Sequence, residues 1–401
     1  MINRTTYIKQ IKPFIAKDVV KVLTGMRRSG KSTLLEQIRD ELITQGVPLE
    51  NVLTVNFESL EFDHLTHSHK AFYNEIIRIA RERKGKFYLL FDEIQTVVSW
   101  EKAINSLRVD LDCDIYITGS NASLLAGELS TLLAGRYVAF EVMPFSFSEV
   151  AEALPKMNKS EVFALYRTIG GLPFLAQVEF KRRESLTYLS DVYNSIMLRD
   201  IVQRNGFRDA DQLARVLTYF LSEIGTTFSV KNIANVFAEE RRPVSRESIY
   251  NYISAAEEAM LFSRVKRYDI KGKDILKGNE KVYITDVGIR EALLGNNATR
   301  IDIVLENIVF NELKRRGFDI SIGKNGNKEI DFIASKGSDI RYIQVTYLLA
   351  HEETIAREFG AFVGITDNYP KTVISMDTVD FSRDGIRHIN IEDFLMEEQT
   401  T

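Results

Sequence analysis

The chain has 401 residues, of which 45% are hydrophobic and 27% are charged, so we expect a globular protein of two or three domains rather than one core. Its 52 basic and 56 acidic residues leave a net charge of −4, which excludes a histone-like protein that binds nucleic acid by bulk charge but allows a local basic patch. One cysteine, Cys113, excludes a disulfide framework, and the absence of an apolar run of roughly 20 residues predicts a cytoplasmic protein with no membrane contact.

The first part of the chain alternates apolar strands with helices, which is typical of an α/β domain with a mostly parallel sheet. Strands are predicted at 19–24, 52–57, 87–91, 115–118 and 137–142. After this domain the pattern becomes mainly helical, then combines two helices with a β-hairpin, and finally returns to a helix followed by strands. We therefore predict four domains, at 1–150, 151–225, 226–298 and 299–401.

A phosphate-binding loop (P-loop) is predicted where the first strand meets the next helix. The spacing Gly25-x-x-x-x-Gly30-Lys31-Ser32 in this context is typical of such a loop. Its glycines let backbone N–H groups cradle an anion, and the helix adds the positive end of its dipole. We expect Lys31 to reach the β- and γ-phosphates of ATP and Ser32 to bind Mg²⁺. The residues expected to contact the nucleotide are Gly25, Met26, Arg27, Arg28, Ser29, Gly30, Lys31, Ser32 and Thr33.

Two acidic residues, Asp92 and Glu93, follow the apolar strand 87–91. A buried strand that ends in two carboxylates is costly unless the charges serve a site. We expect Asp92 to hold Mg²⁺ and Glu93 to orient and deprotonate the attacking water, so Glu93 favours hydrolysis over binding alone. Solvated acids at a strand end are the alternative interpretation.

Two polar residues, Ser120 and Asn121, follow the strand that ends at 118. Such side chains can contact the γ-phosphate or the attacking water. The alternative is that they form the N-cap of the next helix.

The motifs Gly25–Ser32, Asp92–Glu93 and Thr118–Asn121 resemble the Walker A, Walker B and sensor-1 elements of AAA+-type ATPases. More narrowly, the chain resembles the prokaryotic AAA-type (AAA_14) ATP-binding proteins with a C-terminal domain of unknown function, DUF4143. This closer resemblance rests on Leu132–Arg136, Pro144–Glu149 and Gly170–Pro173. It covers nearly the whole chain and implies that the sensor strand lies between the Walker A and Walker B strands. Ser120 and Asn121 would then lie beside the phosphates.

The resemblance also implies roles for Arg136, Gly171 and Pro173. Arg136 is a candidate arginine finger, in cis or in trans, and the trans role requires a homo-oligomer. Its alternative is a surface arginine beside a strand. Gly171 and Pro173 resemble the Gly-x-Pro element of related signalling ATPases, which lies near the nucleotide and couples it to the helical domain. Their alternative is a turn between two helices.

Two helices followed by a basic hairpin predict a winged helix at 226–298, with 245–260 as its recognition helix. Residues 264–281 include seven basic and three acidic residues, which gives this segment a local net charge of +4. Such a wing could lie along DNA phosphates and bind them in a salt-dependent way. Glu257 and Glu258 disfavour deep insertion of the recognition helix, so binding to a protein partner is the alternative. The residues expected at duplex DNA are Arg264, Lys266, Arg267, Lys271 and Lys273.

The C-terminal segment resembles the restriction-endonuclease-like fold, in which a Glu, an Asp and a Glu/Gln-x-Lys unit bind Mg²⁺. Glu306, Asp331 and Gln344 match the metal-binding positions, but Thr346 stands where the family has its lysine. We therefore expect a degenerate domain that is retained for binding or assembly, with an active nuclease as the alternative.

Together these interpretations predict Mg²⁺-dependent ATP binding and hydrolysis that drive a conformational switch controlling contact with DNA or a protein partner. Two alternatives stay open. One is a nucleotide-gated signalling scaffold that binds protein rather than DNA, and the other is an ATP-dependent DNA nuclease.

Overall fold

A computed structural model of the chain describes residues 2–81, 83–122, 133, 135–272 and 274–397, without the side chains of 276, 277 and 279. Lys273 and two residues of the Leu132–Arg136 motif, Leu132 and Ala134, lie outside these residues. The chain divides into two compact units, the first formed by Met1–Val142 with Glu258–Met260 and the second by Met143–Glu257 with Leu261–Thr401. None of the described helices has the length and apolar character needed to cross a membrane.

The first unit is built on a parallel sheet of five strands in the order β2-β3-β4-β1-β5. Its strands are β1 (Val20–Thr24), β2 (Val52–Asn56), β3 (Phe87–Asp92), β4 (Cys113–Gly119) and β5 (Tyr137–Glu141). Its helices are α1 (Thr5–Ile11), α2 (Lys31–Thr44), α3 (Asp63–Thr66), α4 (His69–Arg81) and α5 (Trp100–Asp110). Short 3₁₀ turns are Lys12–Phe14, Leu49–Asn51, Leu60–Phe62 and Ile94–Thr96. The predicted P-loop α/β fold is confirmed, and β4 lies between β1 and β3 as the family resemblance implied.

The central strands β1, β3 and β4 are buried on both faces of the sheet, because helices cover both faces and the side chains of each strand point alternately to one face and the other. In β1, Val22 belongs to the core that contains Phe72 of α4 and Ile104 of α5. Its neighbour Leu23 belongs to the other core, with Leu34 of α2. Helices on both faces leave the carboxyl edge of the sheet as the place where the loops after the strands meet.

A fully buried ion pair joins the two central strands near their amino ends. Lys21 of β1 donates to the Asp114 carboxylate of β4, and both side chains are fully buried. Asp114 also accepts hydrogen bonds from the Tyr116 hydroxyl and the Ala16 N–H, both at 2.8 Å. Burial lowers the pKa of Lys21, and Asp114 opposes that shift. The network satisfies the carboxylate, so the charge pair is tolerated and holds β1 against β4.

The second unit contains ten α-helices within the described residues and one eight-stranded sheet. Its helices are α6 (Phe147–Ala153), α7 (Lys159–Ile169), α8 (Arg182–Ser195), α9 (Ala210–Ser222), α10 (Val230–Glu239), α11 (Arg246–Glu258), α12 (Val287–Leu294), α13 (Ile301–Arg315), α14 (Glu352–Gly360) and α15 (Ile391–Met396). A 3₁₀ segment is Pro173–Val178, and a π-helical segment is Ile196–Gln203. Its strands are β6 (Thr227–Phe228), β7 (Phe262–Asp269), β8 (Asp274–Ile284), β9 (Asp319–Asn325), β10 (Lys328–Lys336), β11 (Asp339–Val345), β12 (Lys371–Ser375) and β13 (Arg387–Asn390).

One sheet joins the hairpin to the C-terminal strands. The strand order is β13-β12-β11-β10-β9-β7-β8-β6. Strands β7 and β8 form the antiparallel hairpin that the sequence predicted after two helices, and β7 pairs in parallel with β9. The predicted winged-helix and nuclease-like segments therefore share a continuous sheet, a feature that the sequence did not indicate.

A buried carboxylate, Asp286, connects three segments of the second unit. It accepts hydrogen bonds from the N–H groups of Gly171 and Gly288, both at 2.8 Å. The Gly171 carbonyl in turn accepts from the Phe145 N–H at 2.7 Å. Gly170 has φ +70°, and a Cβ there would lie 1.8 Å from the Asp286 carboxylate, so this turn requires glycine. Burial raises the pKa of Asp286 to about 6, although the backbone N–H groups oppose the shift.

We expect the second unit to become more stable as the pH falls from 7.5 to 5.5. The pKa of Asp286 is 3.8 in an unfolded chain and about 6 when folded, so the folded state binds the proton more tightly. This contribution is complete below pH 3.8 and is lost as the pH rises through 6. A shift of about two units corresponds to about 3 kcal/mol over the full window.

Urea denaturation followed by circular dichroism at both pH values measures this effect, with Asp286→Asn as the control that removes the titrating group. We expect the stability of the wild type to depend more steeply on pH than that of the variant. Equal pH dependence in the two proteins would contradict the role of Asp286.

Candidate functional site

The loop between β1 and α2 has the backbone of an anion-binding loop. Gly30 adopts the left-handed conformation at the N-cap of α2, with φ 96°. A Cβ on Gly25 would lie 2.4 Å from the Val142 carbonyl oxygen, so this position also requires glycine. The buried Lys31 Nζ donates to the carbonyl oxygens of Gly25 at 3.0 Å and Met26 at 3.1 Å. The loop thus curls around an ammonium at the start of a helix, which suits a phosphate group.

The other predicted loop residues differ in exposure. Ser29 is buried, Arg27 and Thr33 are half-buried, and Arg28 and Ser32 are exposed. Arg28 has φ 69°, an uncommon backbone conformation for a residue with a side chain. The structure therefore keeps the Ser32 hydroxyl, one of the two expected Mg²⁺ ligands, accessible from outside.

A residue near the N-terminus, Arg4, supports the loop from within the first unit. Its side chain is 2% exposed, and its Nη1 donates to the Ser29 carbonyl oxygen at 3.1 Å. Its backbone N–H donates to Gln37 of α2 at 2.9 Å, and its guanidinium lies 4.7 Å from the centre of the Tyr7 ring. No local motif indicated this contact, because the two partners are 25 residues apart.

The carboxylates that end β3 are held by a threonine of β4. Asp92 is 4% exposed, and the Thr118 hydroxyl donates to its Oδ1 at 2.5 Å. The same hydroxyl accepts a hydrogen bond from the Glu93 N–H at 2.9 Å. Glu93 has a left-handed backbone, with φ 54° and ψ 48°, and Gln95 donates to its carboxylate. A strained backbone of this kind persists only where its surroundings fix it.

The P-loop lysine and the β3 carboxylates share one electrostatic environment. Burial raises the pKa of Glu93 above its usual value, and the positive charge of Lys31 opposes this shift. Asp92 and Glu58 raise that pKa further by repulsion. A buried carboxylate with a raised pKa is a better proton acceptor than an ordinary one, which suits a general base.

The predicted sensor residues lie at the same sheet edge. Ser120 and Asn121 follow β4 directly and are buried. The hydrogen bonds to Asp92 and Glu93 come from Thr118, two residues earlier, a role that the sequence interpretation missed. The pairing of β3 with β4 is the signal that could have revealed this role of Thr118. Phe91 lies opposite Ile117, and the next pair brings Asp92 beside Thr118.

Arg136 lies at the amino ends of the parallel strands, opposite to the carboxyl ends where the Walker residues lie. It directly precedes β5, and its carbonyl oxygen accepts from the Val20 N–H at 2.9 Å, at the start of β1. The P-loop follows Thr24, at the end of the same strand. The structure therefore does not bring the exposed Arg136 to the Walker residues of its own chain, and its role in trans stays a prediction.

Gly171 and Pro173 belong to the second unit. Gly171 forms part of the Asp286 junction, and Pro173 begins the 3₁₀ segment. Their predicted contact with nucleotide stays a prediction.

The predicted DNA-contacting residues of the hairpin divide into two groups. Arg264 pairs with Glu257 at 2.7 Å, and Arg267 pairs with Glu329 at 3.5 Å. Lys266 and Lys271 are exposed, and neither forms an ion pair with another described residue. The hairpin consequently offers less free positive charge than its sequence suggests.

The three residues of the predicted vestigial metal site come together, as the resemblance implied, but a lysine lies among them. Lys281 Nζ of β8 lies 2.9 Å from Glu306 Oε1 and 4.0 Å from Asp331 Oδ1. Gln344 accepts from the Asp331 N–H at 2.7 Å. Burial alone would lower the pKa of Lys281, but the surrounding carboxylates outweigh it and raise that pKa. Across the described residues, no three His, Cys, Asp or Glu side chains are arranged to hold a metal ion.

Two family models match the chain. Residues 17–151 match an AAA domain (AAA_14), as predicted, and residues 160–300 match a domain of unknown function, DUF8612, rather than the expected DUF4143. An uncharacterized protein of Haemophilus influenzae is 39% identical over 99% of both chains. The uncharacterized protein MJ1544 of Methanocaldococcus jannaschii is 29% identical over 98% of this chain and 88% of its own.

Solved structures that are similar to this chain include three that match at TM-scores of 0.30 to 0.35. AMPPCP-bound DnaA from Aquifex aeolicus has a TM-score of 0.35 and 15% identity, over 64% of this chain and 88% of its own. The Aeropyrum pernix ORC1 protein in complex with DNA has a TM-score of 0.30 and 11% identity, over 75% and 94%. The Hsp104–ADP complex of S. cerevisiae has a TM-score of 0.35 and 16% identity, over 79% and 43%.

We expect Thr118→Val to destabilise the first unit by about 1–3 kcal/mol, because it leaves the Glu93 N–H and the Asp92 carboxylate without their shared partner. Thr118→Ser keeps the hydroxyl and should cost only about 1 kcal/mol for the lost methyl group. Urea denaturation followed by the fluorescence of Trp100 measures this unit, since Trp100 is the only tryptophan and is buried there. Equal stability of the two variants would show that the hydroxyl has no such role.

Proposed function

This chain belongs to the same family as the Haemophilus influenzae protein, a family of AAA-type ATP-binding proteins, and we propose that it hydrolyses Mg²⁺-bound ATP to switch its contact with a partner macromolecule. One observation carries the proposal. The half-buried carboxylate of Glu93, whose pKa is raised by desolvation, interacts electrostatically with the ammonium of Lys31 in the P-loop. A base and a phosphate-binding cation in the same site suit phosphoryl transfer to water.

Each residue has a distinct part in this reaction. Lys31 and the loop N–H groups bind the phosphates of ATP. Ser32 and Asp92 supply the oxygen ligands that Mg²⁺ prefers. Mg²⁺, when bound, neutralises charge that develops on the transferred phosphoryl group. Glu93 takes a proton from the attacking water, whose oxygen forms a bond to the γ-phosphorus while the bond to the oxygen of ADP breaks.

The surrounding hydrogen bonds fix the base before substrate arrives. Thr118 binds the Glu93 backbone and the Asp92 carboxylate, so it aligns the metal ligand with the base. Gln95 donates to the Glu93 carboxylate and orients it. Ser120 and Asn121 follow β4 at this edge, and we propose that one of them contacts the γ-phosphate.

We expect Glu93→Gln to lower ATP turnover by roughly 100- to 10,000-fold while ATP still binds, because the amide cannot accept the proton of water. Lys31→Ala should instead prevent binding, since it removes the cation inside the loop. Phosphate release measures turnover, and equilibrium dialysis with labelled ATP measures binding. Turnover by Glu93→Gln at the rate of the wild type would contradict the role of Glu93.

A protein partner suits the second unit better than duplex DNA. Two of the five predicted DNA contacts, Arg264 and Arg267, are neutralised by glutamates. Of the described ones, Lys266 and Lys271 remain exposed for phosphates. DNA contact is therefore the second candidate, and we propose that it is weak. The third candidate from the sequence, a nuclease, requires metal chemistry in the C-terminal site.

We expect any duplex DNA binding through Lys266 and Lys271 to weaken about tenfold between 50 mM and 200 mM salt, as two phosphate contacts predict. Lys266→Glu/Lys271→Glu should abolish it. Lys9→Glu/Lys156→Glu changes the net charge by the same amount outside the hairpin and should leave the DNA binding unchanged. Fluorescence anisotropy of labelled duplex measures the affinity. Tight binding that survives the hairpin reversal would contradict this assignment.

A further inference from the structure

The carboxylates of α13 and β10 surround a lysine that comes from the hairpin. Lys281 Nζ lies 2.9 Å from Glu306 Oε1 and 3.0 Å from Glu329 Oε1. Asp331 Oδ1 lies 4.0 Å from the same nitrogen. Lys281 is 4% exposed, so its ammonium has little access to water and is balanced by these acids.

Several oxygen atoms of the site also accept hydrogen bonds from protein donors. Glu306 Oε1 also accepts from the Tyr283 hydroxyl at 2.6 Å. Asp331 Oδ2 accepts from the Val345 N–H at 2.8 Å. The side-chain oxygen of Gln344 accepts from the Asp331 N–H at 2.7 Å, and its amide donates to Glu358 at 2.8 Å. Each of the three residues that the restriction-endonuclease resemblance assigns to Mg²⁺ therefore already has one side-chain oxygen bonded to a protein donor.

A divalent cation does not fit this arrangement. Mg²⁺ requires near-octahedral oxygen ligands at roughly 2.0–2.1 Å. An ammonium within hydrogen-bond distance of Glu306 and Glu329 occupies the space between the acids and repels a second cation. Position 346 is threonine where the resembling family has a lysine that polarises water. In this chain the cation of the site is Lys281 of β8, and it binds the carboxylates instead of a water.

We propose that the ammonium of Lys281 replaces the divalent metal ion, so that the C-terminal domain binds no metal and cleaves no phosphodiester. Instead, the buried ammonium of Lys281 joins β8 of the hairpin to α13 and β10 through ion pairs. The same arrangement removes Lys281 from the basic surface of the hairpin. This inference is independent of ATP hydrolysis in the first unit.

The test is Mn²⁺ binding by the full chain without nucleotide, followed by electron paramagnetic resonance. Lys281→Ala removes the ammonium and frees three carboxylates, so it should bind one Mn²⁺ per chain more than the wild type. Lys281→Ala/Asp331→Asn should lose that ion. Lys281→Arg keeps a positive charge and is the matched control, which should bind no additional Mn²⁺. Any metal bound weakly in the first unit is common to all four proteins.

Two results would overturn the proposal. One is wild-type binding of Mn²⁺ that Asp331→Asn removes, because the site would then be a metal site despite Lys281. The other is a folded Lys281→Ala protein that gains no Mn²⁺. If Lys281→Ala is too unstable for binding measurements, thermal unfolding replaces them. Mn²⁺ should raise its midpoint but not that of the wild type, and an equal shift in both would also overturn the proposal.

Discussion

The hydroxyl of Thr118 binds Asp92 and Glu93 only because β3 and β4 pair in parallel, and the rest of the candidate site depends on that pairing. On its other side β4 pairs with β1, and Leu23 lies opposite Thr118 in this pairing. The P-loop, which follows β1, therefore lies at the same ends of the strands as Asp92 and Glu93. The order of the three strands thus brings a phosphate-binding loop, a metal ligand and a base together. The ion pair of Lys21 with Asp114 holds the same strands near their opposite ends.

In the second unit, the corresponding constraint is that acidic residues of the same unit neutralise basic residues of the hairpin. Lys281 and Arg267 of the hairpin both contact acids of the C-terminal segment, and Arg264 contacts the preceding helix. These contacts and the shared sheet join the hairpin to the C-terminal strands. Three basic residues of the hairpin, Arg264, Arg267 and Lys281, are therefore committed to internal contacts, which supports the proposal of a protein partner.

Local patterns predicted the parts of the molecule that depend on neighbouring residues. The P-loop, the acidic pair after β3 and the alternation of strands and helices are each visible within about ten residues, and the sheet order followed from the family resemblance. Contacts between distant residues were not predictable in this way. Arg4 reaches Ser29 across 25 residues, and Lys281 reaches Glu306 across 25 as well. The sequence left open whether Arg136 acts in cis or in trans, because its motif does not reveal at which end of β5 the arginine lies.

In the reaction that we propose, water attacks the γ-phosphate of ATP in the first unit. The most direct test is to incubate the wild-type protein with Mg²⁺ and ATP in ¹⁸O-labelled water and to analyse the products by mass spectrometry. We expect inorganic phosphate that carries one oxygen atom from the solvent, together with unlabelled ADP. Intact ATP after prolonged incubation, or label in ADP rather than in phosphate, would contradict it.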